Sequence, residues 1–564
     1  MCPARKTGRC VGRGLKQRTL ESGLLDIILK NCSVIDGVSD HEYSADIGIL
    51  EDVIVKVGSL EGFSAMRVID GAGMTVAPGF IDVHSHSDLN AFIDGGFASK
   101  VTQGVTTEVI GNCGYSVYPL SGEFGERVRA EAGSLGVEAN WNSFAEFATE
   151  VEKRGRLPVN LIPLVGLSAI RALVSGYSSR PLSFGELDSA VAAVEKALAE
   201  GVSGVSSGMI YPPCCYFDAE ELSALIRPVA ACGGIYATHM RSEGDYLLEA
   251  ISETLQITRK TGVNTQISHL KTAERQNWHK LDAALELIET CMADGFDVAA
   301  DRYPYTASQT TLDMVLPKWV FDGGNQGAIR RISDPLVALR IKAEIMQKHG
   351  ETSEYWDNVV ISEAFCPEFK KFEGMNFRQT FNMIKSTRED CRKFDIFDCL
   401  ISFLITEKLR TSAIFFNMSE KNLERILSRP YIMIGSDATA RATDGPLASG
   451  KPHPRAFGTF VKFLTEYCMR KKLISLPGAI SKLTYLPACK FNITGRGRIA
   501  PTFFADLVVF DPGLLRERGT YSNPMAFSDG IEYVIVNGKV VFSKKDGKGA
   551  VNPGKILTAR RNSR

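Results

Sequence analysis

Only eight histidines occur in the chain, at 41, 84, 86, 239, 269, 279, 349 and 453, and four of them share a setting. His84 and His86 close the run GFIDVHSH, His239 lies in YATHMRSEG and His269 in TQISHLKT, each directly after a β-rich stretch. Two histidines spaced two apart on a strand face the same side, so both imidazoles suit one cation. Cys113, in VIGNCGYS, follows a further β-rich stretch, and a thiolate there is a good soft ligand. Asp437, in IMIGSDA, follows the last such stretch. Taken singly, each has an ordinary explanation: a hydrogen-bonded polar pair or core histidine, a small buried hydrophobe for cysteine, a helix N-cap for aspartate. Four histidines, one cysteine and one aspartate at five strand ends share no such explanation, and together they predict a metal centre. Nitrogen and sulfur ligands favour zinc over magnesium or calcium, which take oxygen shells.

These residues need a scaffold that gathers strand ends. Eight short apolar runs finish in polar or Gly-rich residues: GFIDVHSH, VTTEVIGNCG, VNLIPLVGLS, GVSGVSSGMIY, GIYATHMRSE, VNTQISHLKT, FDVAADRYPY and YIMIGSDA. Amphipathic stretches such as FGELDSAVAAVEKALAEG and DYLLEAISETLQITRKTG lie between several of them, with apolar residues three and four apart and Gly at the end. Strands alternating with helices predict an α/β fold of the TIM type, a (β/α)8 barrel, whose chemistry sits at the carboxyl ends of its strands. DIILKNCSVIDG near the start and ADLVVFDP with IEYVIVNGKVVF near the end read as strands of one small β domain built from both chain ends. The expected organisation is a basic leader over 1–22, the small β domain over 23–76 and 481–550, the barrel over 77–480, and a basic tail over 551–564. An insertion over about 306–425, between barrel strands seven and eight, is too long for an ordinary loop and reads as a lid or subdomain.

With these motifs in hand, the chain resembles the N-acyl-D-amino-acid deacylase, or D-aminoacylase, branch of the amidohydrolase superfamily, from about residue 24 to residue 545. APGFIDVHSHSD resembles the first-strand metal motif of the whole superfamily. QGVTTEVIGNCG, SSGMIYPP, THMRSEG, ISHLK, DRYPYTAS, IGSDA and HPRAFGTF resemble the narrower branch. Cysteine is its diagnostic element, taking the bridging place that a carboxylated lysine or a glutamate fills elsewhere. The resemblance implies that Cys113, His239 and His269 hold one tightly bound zinc, with His84 and His86 at a second, weaker position. It makes Asp437 the catalytic acid and base. The substrate carboxylate would be held by Lys271, by Tyr303 or Tyr305 of the YPY motif, with Tyr303 preferred, and by Arg455. Two departures stand out. Ala438 and Thr439 follow Asp437 where many relatives have Gly, and the stretch from Asp437 to His453 is longer than usual.

The implied reaction is zinc-dependent hydrolysis of N-acyl-D-amino acids. Zinc with three protein ligands leaves a position for water and lowers its pKa from about 15.7 toward about 7. Asp437 would take the water proton and pass it to the leaving nitrogen, and a YPY phenol could help polarise the carbonyl. A free carboxylate beside the scissile nitrogen needs a cation, which Arg can supply bidentately; the bland alternative for Lys271 and Arg455 is a surface charge or structural ion pair. Tyr211, in the loop after the fourth strand, lines the acyl or side-chain pocket or is simply a packed aromatic. A cyclic amide or ureide hydrolase, of the dihydroorotase and hydantoinase type, keeps the metal site but is disfavoured by Cys113 and Lys271. A non-catalytic scaffold would be expected to have lost ligands that this chain keeps.

Composition agrees with a small-molecule substrate. Lys plus Arg equals Asp plus Glu at 65 each in 564 residues, so no global field recruits nucleic acid or an anionic membrane. No apolar run approaches the roughly 18–20 residues of a membrane span, and the amino terminus lacks the apolar core of a secretory signal. Thirteen scattered cysteines, an odd number, form no disulfide framework. The expectation is a cytoplasmic protein. Arg5, Lys6, Arg9, Arg13, Lys16 and Arg18 precede the first acid, and an organelle-targeting leader is the alternative to a disordered tail or a misassigned start.

Overall fold

The structure, a computed structural model, describes residues 24–349, 354–549 and 551–559; the basic leader lies outside the described residues. All eight apolar runs contain strands: β1 (Phe80–Asp82), β2 (Val105–Ile110), β3 (Asn160–Pro163), β4 (Gly204–Gly208), β5 (Ile235–His239), β6 (Asn264–Ile267), β7 (Val298–Arg302) and β8 (Ile432–Ile434). Every pairing among them is parallel. β1 pairs with β2 and β2 with β3, and Val165–Gly166, just past β3, pairs with β4. From β4 the pairing runs in order to β8. A parallel bridge between Ser85 and Ala438 then joins the segments that follow β1 and β8. Burial on both faces explains why these strands read as nearly continuous apolar runs rather than alternating ones.

The helices between strands begin and end on local signals. Phe184–Glu200 starts in a capping box, Ser183 with Glu186, and stops at Gly201 with φ 116°. Ala219–Ala231 uses Asp218 with Glu221 in the same way. Among the described residues, no helix is long and apolar enough to cross a membrane.

Both chain ends enter one nine-stranded sheet, in which Thr75–Pro78 pairs antiparallel with Leu507–Phe510. Its core includes Ile27, Leu29, Val34, Ile49, Leu507 and Ile535. Between β7 and β8, strands Ala307–Thr311, Val359–Glu363 and Ser412–Phe416 form a separate antiparallel sheet over its own hydrophobic cluster. Residues 551–559, read from sequence only as part of a basic tail, lie along β3: Ile556 bridges Leu161, and the Leu557 N–H donates to the Leu161 carbonyl at 2.7 Å.

Candidate metal centre

The strand ends converge on a cavity of about 770 Å³ whose wall includes His86, Cys113, His239, His269, Lys271, Tyr303, Asp437 and Arg455. Ligand-type atoms of Cys113, His239 and His269 lie within 4.8 Å of one another, and so do those of His84, His86, Cys113 and Asp437. Cys113 belongs to both groups. Its Sγ is 3.2 Å from His84 Nε2 and 3.6 Å from His269 Nε2. His86 Nε2 stands 3.1 Å from Asp437 Oδ1, and His84 Nε2 3.4 Å from the same oxygen.

The backbone is held in an uncommon conformation at three of these residues. Cys113, His269 and Asp437 have φ of 53°, 35° and 50°, in the left-handed region. For a non-glycine residue this costs on the order of 1–2 kcal/mol, so the surrounding contacts must enforce it. For Cys113 the enforcement begins with the GNCG turn that ends β2. For Asp437, its N–H donates to the His84 carbonyl at 2.8 Å.

Charges explain the protonation pattern. Burial pushes the Cys113 thiol up, yet the imidazoles of His84, His239 and His269 outweigh it and hold the thiol well below its ordinary range. Burial likewise raises Asp437, but Arg455, His269 and His84, with the His86 hydrogen bond, hold it well below the usual carboxylate range. His239 behaves differently: burial lowers its pKa, and among the described residues neither of its buried ring nitrogens has a hydrogen-bond partner. Buried polar atoms without partners are rare in folded proteins. A neutral, unpartnered imidazole beside a thiolate is what a soft cation requires.

The remaining candidates divide. Arg455 Nη1 donates to Asp437 Oδ2 at 2.8 Å, and the guanidinium lies 4.7 Å from the Tyr303 ring centre. Tyr303 is buried, its hydroxyl has no hydrogen-bond partner among the described residues, and Lys271, Arg302 and Arg455 overcome the effect of burial to lower its pKa. Tyr211 packs edge-on to His239, ring centres 5.0 Å apart, and its hydroxyl meets Thr310 Oγ1 of the insertion at 3.1 Å. Tyr305 is placed differently from Tyr303: it is not among the residues that line the cavity. The chain turns tightly at Pro304, with the Tyr305 N–H bonded to the Tyr303 carbonyl, and the Tyr305 hydroxyl donates to Glu517 at 2.6 Å. The long stretch after Asp437 docks on the insertion, where Ser449 donates to Glu363 at 2.6 Å and the Lys451 N–H to the Ser362 carbonyl at 2.7 Å.

Sequence reasoning missed two carboxylates. Glu243 Oε1 lies 2.8 Å from His269 Nδ1 and forms a short ion pair with Lys271, while its other oxygen is 3.7 Å from His239 Nε2. Asp301 stands 3.2 Å from His84 Nδ1 and accepts the His269 backbone N–H at 2.8 Å. Each leaves the Nε2 of its histidine turned toward Cys113, the way carboxylates orient ligand imidazoles. Glu243 lies in the THMRSEG run, four residues past His239.

A D-aminoacylase from Alcaligenes xylosoxydans xylosoxydans is 32% identical over 540 residues, covering 95% of this chain and 98% of that protein. The chain belongs to the D-aminoacylase family. The N-acyl-D-glutamate deacylase of the same organism is 31% identical over 94% of this chain and 96% of its own length. A solved structure of N-acyl-D-glutamate deacylase from Bordetella bronchiseptica, complexed with zinc and a phosphonate mimic of the tetrahedral intermediate, superposes with a TM-score of 0.78 at 29% identity, covering 95% of this chain and all of that one. A model of the amidohydrolase family matches residues 432–542. The scaffold and the site thus lie within a family of metal-dependent amidohydrolases.

Proposed function

We propose that this D-aminoacylase family member hydrolyses the amide bond of N-acyl-D-amino acids, with Zn²⁺ at the strand ends, to give a carboxylate and a free D-amino acid. The observation that carries the reading is one cavity wall where a Cys–His–His cluster, a carboxylate and two cations meet. Cys113, His239 and His269 would hold a tight zinc, and His84 and His86, with Cys113 and Asp437, a weaker second position. The unpartnered nitrogens of His239 and the lowered Cys113 thiol fit such an ion. Bound there, zinc would acidify a water molecule and polarise the scissile carbonyl.

The chain's own residues do the rest. Asp437, held ionised, accepts the water proton and returns it to the leaving nitrogen. The partnerless Tyr303 hydroxyl is free to donate to a substrate oxygen. Lys271 and Arg455 receive the substrate carboxylate, which replaces Glu243 and Asp437 as their counter-ions. Tyr211 bounds the pocket beside His239. A cavity of about 770 Å³ suits a small molecule.

We further infer that β1–β8 form a closed (β/α)8 barrel carrying the small two-ended β domain and the insertion of about 306–425; the parallel pairings and the Ser85–Ala438 bridge support it. The deciding experiment is an assay of the zinc-loaded protein on N-acetyl-D-Met, N-acetyl-D-Glu and N-acetyl-D-Asp, with the L-isomers and a cyclic ureide as controls. Free D-amino acid should appear, cease on chelation, and fall by ~10²–10⁴-fold in Asp437→Asn. Turnover of the ureide alone would replace this reading with a cyclic-amide hydrolase.

A further inference from the structure

Lys100 has no place in the chemistry above, yet it is wholly buried immediately behind the centre. It sits in the short helical turn Ala98–Val101 that precedes β2. Its ammonium donates to Asp82 Oδ2 at 2.6 Å, to Ser436 Oγ at 2.8 Å and to the Ala438 carbonyl at 3.0 Å, with Glu108 Oε1 at 3.5 Å. Ser436 and Ala438 are the residues on either side of Asp437. One cation therefore grips both flanks of the left-handed turn that presents the candidate acid and base.

The grip is tied to the histidine strand as well. Asp82, two residues before His84, accepts the backbone N–H of His84 at 3.2 Å and that of Ser436 at 2.8 Å, and the Ser436 hydroxyl at 2.6 Å. The Ala438 carbonyl, besides meeting Lys100, accepts the His86 N–H at 3.4 Å. The cluster thus sets the spacing between the first strand, with its two histidines, and the turn after the eighth. Buried Asp82 and Lys100 are each satisfied by several partners, and buried Glu108 adds an ion pair to Lys100. Lys100 and Asp82 form the working pair. A polar network that is buried and well satisfied in this way specifies one arrangement among alternatives.

We propose that Lys100 is the positioning residue for Asp437: by gripping its two neighbours it holds Asp437 left-handed, so that the Asp437 carboxylate faces His86 and Arg455 rather than swinging away. Its role in turnover rests on the deacylase reading; its role in geometry does not. Displacement of a reacting group by about 1 Å can cost ~10²-fold in rate. The test is zinc-loaded Lys100→Met, studied in two ways. In its crystal structure, Asp437 should leave the left-handed region while His239 and His269 keep their places. An unmoved Asp437 would overturn the proposal, whatever the substrate. On N-acetyl-D-Met, kcat per folded, zinc-loaded molecule should fall ~10–100-fold with KM within about threefold; a variant that is merely less heat-stable, with kcat unchanged, would also overturn it. If the wild type leaves every acyl substrate intact, the deacylase reading fails and the crystallographic arm still decides. Should Lys100→Met not fold, Ser436→Ala removes one grip and keeps the Lys100–Asp82 pair. It should lower kcat ~3–10-fold in the same direction, and no loss there would count against the proposal.

Discussion

Glu243 shows how a residue can shape a metal centre without being one of its candidate ligands. Its carboxylate takes the Nδ1 side of His269 and the ammonium of Lys271 together, so it fixes the imidazole and neutralises the lysine beside it. Carboxylates that orient ligand histidines typically contribute ~10–100-fold in metal affinity. Glu243→Gln should therefore weaken zinc binding by about that factor in a competition titration with a chromophoric chelator, and unchanged affinity would remove Glu243 from this role. At this scale the sequence spoke unevenly. His84, His86, Cys113, His239, His269 and Asp437 could be picked out because histidine is scarce and each ends a β-rich run. Glu243, Asp301 and Lys100 could not, because Glu, Asp and Lys are common and only three-dimensional burial marks them. The family resemblance prefers Tyr303 to Tyr305, and the turn at Pro304 shows why the two side chains part.

Elements place these side chains by approaching more closely than ordinary residues allow. A Cβ added at Gly208, at the end of β4, would lie 2.0 Å from the Cys113 carbonyl oxygen, and one at Gly114 2.5 Å from the Gly208 nitrogen. The turn after β2 is thus seated directly against β4, which carries the Cys113 thiol inward. Gly208→Ala should push Cys113 out of register and cut zinc affinity by ~10-fold or more, while far-ultraviolet circular dichroism stays unchanged; full zinc retention would contradict this account. The strands themselves were legible from sequence because doubly buried parallel strands are continuous apolar runs bounded by turn residues. Their order was expected only through the fold that alternating strands and helices imply, since pairing partners leave no local mark of their own. The insertion announced itself only by length, and its three-stranded antiparallel sheet came from residues with no periodic signal strong enough to separate strand from loop.

Over the whole molecule, stability has its own pH signature at a buried lysine that is not one of the site candidates. Lys482 is buried, and its ammonium contacts the carbonyls of Arg429 and Ile432, the latter at 3.0 Å. Burial lowers its pKa to about 7 from an unfolded value of 10.5. Between those limits the unfolded chain holds a proton that the folded chain has shed, so stability rises with pH, by up to ~1.4 kcal/mol per unit. Relative to Lys482→Met, the wild type should gain in melting temperature from pH 7 to pH 9.5; parallel curves for the two proteins would refute the assignment. The two-ended sheet bears on synthesis. Thr75–Pro78 finds its antiparallel partner only at Leu507–Phe510, roughly 430 residues later. At ribosomal speeds of about 5–20 residues per second, that interval is on the order of twenty to ninety seconds. During it, a nascent strand edge stands open to other chains. Yield in a cell should accordingly depend on chaperones that shield the emerging chain, and a circular permutant that brings the two strands together in sequence should shed that dependence.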